Sequence, residues 1–298
     1  MPNPAPIGPG RFVKLATRRP IEPVARLPGR RRSTTLRHGD WIEGGSPAVN
    51  VYSTAWFETF LRASAPPPVD RELAFFERHA PLPEYRRVLD VACGIGRHAR
   101  ALAEVGYDVV GIDNSEDVLA VARAGAPSGA AFALADMRGL SAIRPGDAER
   151  FDAVICLWQS FGNFPEPVNR DVLAGMAGRL RPGGRLLLDV YNRDALPALP
   201  SREVETRDGR TFRTTRSLEG GRFAVRIAYE GSDDEDRLEW QVFTPDEIVA
   251  LGEPVGLSPI LTCAWFDDRV PAGPEHVRMQ VLFETAGSGG ATPSTRES

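Results

Sequence analysis

Between residues 88 and 102 the chain reads VLDVACGIGRHARAL, a stretch whose residue types and spacing suit a nucleotide-like ligand. An apolar run closes around Asp90, and Ala92, Cys93, Gly94, Ile95 and Gly96 then lead into an amphipathic segment. Lacking a Cβ, Gly94 and Gly96 let a ligand lie against bare backbone, at a helix N-terminus whose unpaired N–H groups favour polar or anionic atoms. Gly94, Gly96 and Ala99 also satisfy the dinucleotide fingerprint, so this turn alone suits NAD(P) or an adenosyl cofactor. Two carboxylates extend the pattern. Asp113, followed by Asn114, ends the next apolar run and can accept both hydroxyls of a ribose. Asp136, followed by Met137, ends the third and can accept from an adenine amino group. Aspartates at such places also serve as helix N-caps or turn residues.

Other chemistry is thinner. Trp158 and Gln159 follow a fourth apolar run, and Tyr191 and Asn192 a fifth. Asp267, Asp268 and His276 fall in a loop expected after ILTCAWF, which opens on the same edge if that segment is a parallel strand. Tyr191, Asp267 and His276 are thus the candidates for a catalytic base or substrate ligand. His98 lies on the first turn after the glycines, where a solvent-facing or capping role is expected. Cys93, Cys156 and Cys263 are far apart, without a C-x-x-C pair or a nearby His at ligand spacing, so neither a disulfide framework nor a metal site is expected. Buried reduced thiols suit a cytoplasmic chain.

A parallel sheet must bring these residues to one edge. Short apolar runs at 87–92, 108–113, 130–135, 151–158 and 185–191 alternate with helical stretches near 97–105, 116–124 and 168–180, the rhythm of a doubly wound Rossmann-like α/β sheet. The rhythm breaks at 201–243, where Asp208-Gly209 and Gly220-Gly221 mark hairpin turns and Phe223, Val225, Ile227 and Tyr229 alternate with period 2. This is an antiparallel insertion. Thr244-Pro245-Asp246-Glu247 then restarts a helix with a capping box, and 260–266 and 277–284 supply the last two strands. Two helices, 52–63 and 69–80, separated by Pro66-Pro67-Pro68, precede the core of 85–200. Residues 1–47 read as a basic, Pro/Arg-rich disordered leader and 285–298 as a flexible tail, framing a domain at 48–284.

Of 298 residues, 42% are hydrophobic, which excludes a wholly disordered or fibrous chain. Residues 1–45 carry a formal charge of +6, leaving −10 for the remainder. An acidic body is a poor wrapper of phosphate, so a nucleic-acid partner is not expected, and the charge favours a neutral or cationic small molecule. No apolar stretch approaches the ~18 residues of a membrane span.

In order, D-V-A-C-G-I-G, G-I-D-N-S, A-D-M, FDAVICLWQSFGNF and LRPGGRLLLD resemble the class I S-adenosylmethionine-dependent methyltransferases, specifically over 85–192 and loosely to 284. The resemblance implies a seven-stranded sheet of order 3-2-1-4-5-7-6 with the last strand antiparallel, and S-adenosylmethionine as cofactor. It implies that Asp90, Ala92, Cys93, Gly94 and Gly96 hold the methionine part, Asp113 with Asn114 the ribose, and Asp136 with Met137 the adenine, while Trp158 touches cofactor and Gln159 substrate. Tyr52, Trp56, Tyr191 and Trp240 become candidates for the substrate pocket, with the insertion as a lid or dimer contact. The expected activity is methyl transfer to an N or O atom of an amine, amino sugar or secondary metabolite by a monomer or homodimer. A non-catalytic S-adenosylmethionine-binding regulator and an NAD(P)-dependent oxidoreductase are the alternatives.

Overall fold

The computed structural model describes residues 50, 52–61, 69–142 and 150–287. The expected leader, the triple proline and all but the first residues of the expected tail lie outside these. Five apolar runs form β1 (Arg87–Val91), β2 (Asp108–Asp113), β3 (Ala130–Leu134), β4 (Phe151–Cys156) and β5 (Leu180–Tyr191), and neighbours among them pair in parallel. The near-continuous hydrophobicity of β1, β2 and β4 reflects burial on both faces, while β3 lies at the sheet edge. Helix α2 (Asp70–His79), through Phe75 and Phe76, and α3 (Arg97–Glu104), through Leu102, pack on one side. Leu173 and Met176 of α5 (Glu166–Gly178) and Ile248 of α6 (Pro245–Gly252) belong to the core of the other. Helix α4 (Glu116–Arg123) connects β2 to β3.

The sheet completes itself with β10 (Leu257–Ala264), β11 (Asp267–Pro271) and β12 (Arg278–Thr285), giving the order β11-β10-β12-β5-β4-β1-β2-β3. The Rossmann-like class stands, but the expected count of seven strands is corrected to eight. Strands β10 and β12 take the sixth and seventh places, with β12 antiparallel to both β5 and β10. The eighth, β11, occupies the segment expected to be loop. It arises because Trp265 and Phe266 both adopt positive φ, 60° and 53°, and Ala264 pairs with Asp267 across them. Two successive left-handed residues make a two-residue hairpin that Asn-Gly normally signals, and Trp-Phe carries no such signal. Strand β5 begins ahead of the apolar run expected at 185–191, and Pro182-Gly183-Gly184 forms a bulge inside it, where the pairing register with β4 shifts.

Between β5 and α6 lies a separate four-stranded antiparallel sheet, β6 (Arg202–Arg207), β7 (Arg210–Glu219), β8 (Arg222–Tyr229) and β9 (Glu235–Gln241). Two of its three turns fall at the dipeptides expected. Phe212, Phe223, Ile227, Leu238 and Trp240 are buried on one face, against Ala55 of α1 (Thr54–Trp56) and the partly buried Tyr52, Trp56 and Phe60. The helix expected at 52–63 is thus short and widens into a π-turn over Phe57–Leu61. Ser53 caps α1, and buried Asp236 on β9 accepts from the Ser53 N–H (2.6 Å), the Ser53 hydroxyl (2.9 Å) and the Tyr229 hydroxyl (2.6 Å), tying this segment to the sheet. Thr244 and Glu247 form the expected capping box at α6.

Candidate cofactor and substrate site

The two glycines after β1 are needed for different reasons. A Cβ on Gly94 (φ +53°) would meet no heavy atom within 4 Å, so its open side can receive a ligand. A Cβ on Gly96 (φ +76°) would stand 2.7 Å from the Phe132 ring and 3.2 Å from Ala122, so packing excludes it. Ala92 turns the chain at φ 57° without being glycine. Such a conformation costs about 1–2 kcal/mol, and the Cys93 N–H to Ile112 carbonyl bond (2.9 Å) helps hold the turn against β2. The Cys93 thiol is buried and pushed far up by that burial, hence inert.

The Asp113 carboxylate accepts from the Gly94 N–H at 2.9 Å and the Ser115 N–H at 3.0 Å. An ionised carboxylate has about four lone-pair sites, so acceptor capacity for ribose hydroxyls remains. Burial raises the Asp113 pKa, against the lowering effect of these bonds. Asp90, in β1, is buried, and burial followed by the charge of Asp113 pushes it up to about 8, so it is protonated at neutral pH. Asn114 is exposed. Asp136 is half-buried beside Met137 and is gripped by Arg138 through Nε at 3.0 Å and a terminal nitrogen at 2.5 Å. Burial pushes the Asp136 carboxyl up, but Arg138 outweighs it and holds the group below its usual value.

Past β4, Trp158 and Gln159 both take positive φ, 58° and 57°. The agent holding them there is Asp189 on β5, fully buried, which the sequence reading passed over. It accepts from the Trp158 N–H (2.9 Å), Gln159 Nε2 (3.1 Å), Gln280 Nε2 (2.8 Å) and the Arg278 guanidinium. Arg97 and Arg278 both lie over the Trp158 indole, 4.5 and 4.9 Å from its ring centroid. The available signal was an acid inside the apolar run LLLDVY, because a charge is buried only when partnered.

Opposite, Tyr191 packs edge-on against Phe223 and Trp240, at 5.2 and 5.1 Å between centroids, and Tyr52 lies 4.3 Å from Trp56. Burial, then Tyr191, Asp236 and Asp113, push the Tyr52 phenol above its ordinary value. Trp158 Nε1 and Trp240 Nε1 are buried with no hydrogen-bond partner among the described residues.

The remaining candidates are tied down elsewhere. Asp267 is paired with Arg269 on the edge strand β11 and held well below the usual carboxylate range, and Asp268 pairs with Arg78 at 3.1 Å. His276 accepts from Trp265 Nε1 at 3.1 Å and faces Glu275 at 3.1 Å. Burial pushes Tyr191 up to about 12, so at neutral pH its hydroxyl is a donor and not a base. His98 is neither exposed nor a cap; it lines a small apolar recess with Phe76 and Leu102, and burial lowers its pKa to about 3. Among the described residues no cluster of His, Cys, Asp or Glu could hold a metal ion.

Glycine turn, Asp113, Asp136 and the loop after β4 thus gather at the carboxyl edge of a doubly wound sheet, where β1 and β4 adjoin and the chain reverses its winding. This arrangement is that of the class I S-adenosylmethionine-dependent methyltransferases, which the chain resembles over its cofactor-binding core. Residues 88–184 match the family described as Methyltransferase domain. The chain is similar to the glycine N-methyltransferase of Mus musculus, 36% identical over 122 residues that cover 36% of this chain and 41% of the relative. It is also similar to the ubiquinone biosynthesis O-methyltransferase of Thiobacillus denitrificans, 37% identical over 126 residues, 41% of this chain and 51% of the relative. The match thus spans about half the length of these relatives or less. In fold it is similar to an S-adenosylmethionine-dependent methyltransferase from Clostridium acetobutylicum, with a TM-score of 0.64 at 14% identity, covering 78% of this chain and 96% of the other.

Proposed function

We propose that the protein transfers the methyl group of S-adenosylmethionine to a nitrogen or oxygen of a small molecule held between the carboxyl edge of the main sheet and the inner face of the second sheet. The observation that carries this reading is the Asp113–Gly94 bond, which couples a carboxylate suited to a ribose to a turn with an open face. When bound, the cofactor supplies a sulfonium-activated methyl group. The protein's part is alignment and exclusion of water. Asp113 accepts the ribose hydroxyls, Asp136 and Met137 flank the adenine, and residues 90–96 take the methionine part. Tyr52, Trp56, Tyr191 and Trp240 supply the apolar wall that shields the acceptor. An amine acceptor has only to lose a proton before attack, and Tyr191 can accept hydrogen bonds from it or donate one.

Incubation with methyl-labelled cofactor and fractionated metabolites, followed by mass spectrometry, should give a labelled small product. Calorimetry that detects no binding of S-adenosylhomocysteine would sink this reading, and fluorescence of a bound nicotinamide would favour the dinucleotide alternative.

A further inference from the structure

We propose that Arg97 and Arg278, both over the Trp158 indole and the second of them held by Asp189, recognise a carboxylate on the methyl acceptor; this rests on the function proposed above. Three elements converge. Arg97 opens α3 directly after the glycine turn, Trp158 follows β4, and Arg278 starts β12 paired in register with Tyr191. All three therefore lie at the carboxyl edge, between the glycine turn and the lid aromatics that Tyr191 touches.

Arg278 is held but not used up. Its Nε and one terminal nitrogen engage Asp189, its one hydrogen-bond partner among the described residues, and its side chain is 32% exposed. A guanidinium has five N–H donors in a planar fork, so the outer edge keeps donors spaced for a carboxylate. Asp189 cannot rotate to cover that edge, because Trp158 N–H, Gln159 and Gln280 hold both of its oxygens. Contact with the indole restrains both guanidiniums, which reduces the freedom lost when an anion docks.

Two carboxylates face this pair, Asp189 on β5 and Glu72 on α2, so an anion is held here by donor geometry and not by excess charge. Asp90 also faces Arg97, but it is protonated at neutral pH. The two guanidiniums share the Trp158 indole, 4.5 and 4.9 Å from its centroid. The body carries a net charge of −10, so what suits this place to an anion is the set of fixed donors that Arg278 keeps beyond Asp189. A carboxylate bound here would leave the rest of the acceptor toward Tyr191, Phe223 and Trp240.

The test uses the full chain saturated with S-adenosylhomocysteine and titrated with benzoate, benzamide and benzylamine. Benzoate should bind, the other two should not, and Arg278→Gln and Arg97→Gln should each weaken benzoate ~10-fold or more, the scale of a lost charged hydrogen bond. Asp189→Asn should also weaken benzoate, and Arg278→Lys should keep more of the benzoate affinity than Arg278→Gln, a difference that general loss of structure would not give. If Arg278→Gln fails to fold, Arg97→Gln and the charge-retaining Arg278→Lys decide. Benzamide binding as well as benzoate, no benzoate binding, or benzoate binding indifferent to both arginines would overturn the proposal. So would loss of S-adenosylhomocysteine affinity in the variants with 5′-methylthioadenosine unaffected, since the anion held would then be the cofactor's own carboxylate. Absence of S-adenosylhomocysteine binding in the unmodified chain refutes the proposed function itself, a distinguishable result.

Discussion

The Asp113 carboxylate accepts a hydrogen bond from the Gly94 N–H at 2.9 Å, so the end of β2 fixes the shape of the turn that follows β1. A residue suited to a ribose therefore also organises the backbone beside it. Asp113→Ala should lower S-adenosylhomocysteine affinity by roughly 10- to 100-fold, the range of one to two charge-assisted hydrogen bonds. Isothermal titration measures it, and unchanged affinity would exclude Asp113 from the site.

The two glycines should respond differently to alanine. Gly96→Ala forces a Cβ to 2.7 Å from the Phe132 ring at φ +76°, and should cost ~1–3 kcal/mol of stability, read as a lower melting temperature. Gly94→Ala meets no atom, so beyond the left-handed strain of about 1–2 kcal/mol its effect should fall on cofactor affinity. Equal losses of stability with no affinity change at Gly94 would contradict an open ligand-facing side.

Asp189→Ala removes the partner of a largely buried guanidinium and of three other donors. Breaking a buried pair on one side typically costs about 3–5 kcal/mol. Chemical denaturation should show a loss of that order, and Trp158, released from its positive φ, should change its fluorescence. A loss below 1 kcal/mol would mean that the Asp189 network holds nothing in place.

Asp90 makes stability depend on pH in a defined direction. Its folded-state pKa is about 8 against a model-peptide value of 3.8, so the folded chain holds this proton more tightly than the unfolded chain. That contribution is complete below the unfolded value and is lost as pH rises from about 4 through about 8. Asp90→Asn cannot ionise, so its melting temperature relative to the unmodified protein should climb across this window. A difference that stays flat from pH 5 to pH 8 would show that Asp90 does not titrate with folding.

Asp236 ties Ser53 to Tyr229 on the second sheet. Asp236→Ala should free the segment around 52–61 and speed its limited proteolysis while leaving the main sheet intact. Cleavage at an unaltered rate would show that aromatic packing alone retains the segment.

Sequence alone determined the parts of this protein whose signals are local. Apolar runs of strand length broken by amphipathic segments define the β1–β5 sheet, Asp208-Gly209 and Gly220-Gly221 define two hairpins, and Thr244 with Glu247 defines a helix start, because each rests on neighbours a few residues apart. The glycine turn, Asp113 and Asp136 were legible for the same reason: each sits where an apolar run ends. Tertiary structure alone decided the rest. The Trp265-Phe266 hairpin exists only because β10 and β12 give β11 an edge to fold beside, and Pro182-Gly183-Gly184 became a bulge because β4 pairs across it. His98 is half-buried because α2 packs beside it. Arg97, Trp158, Asp189 and Arg278 meet through four segments of the chain, and Arg278 lies 89 residues from Asp189. No local pattern encodes that meeting, since burying a charge is tolerated only when distant chain delivers its partners.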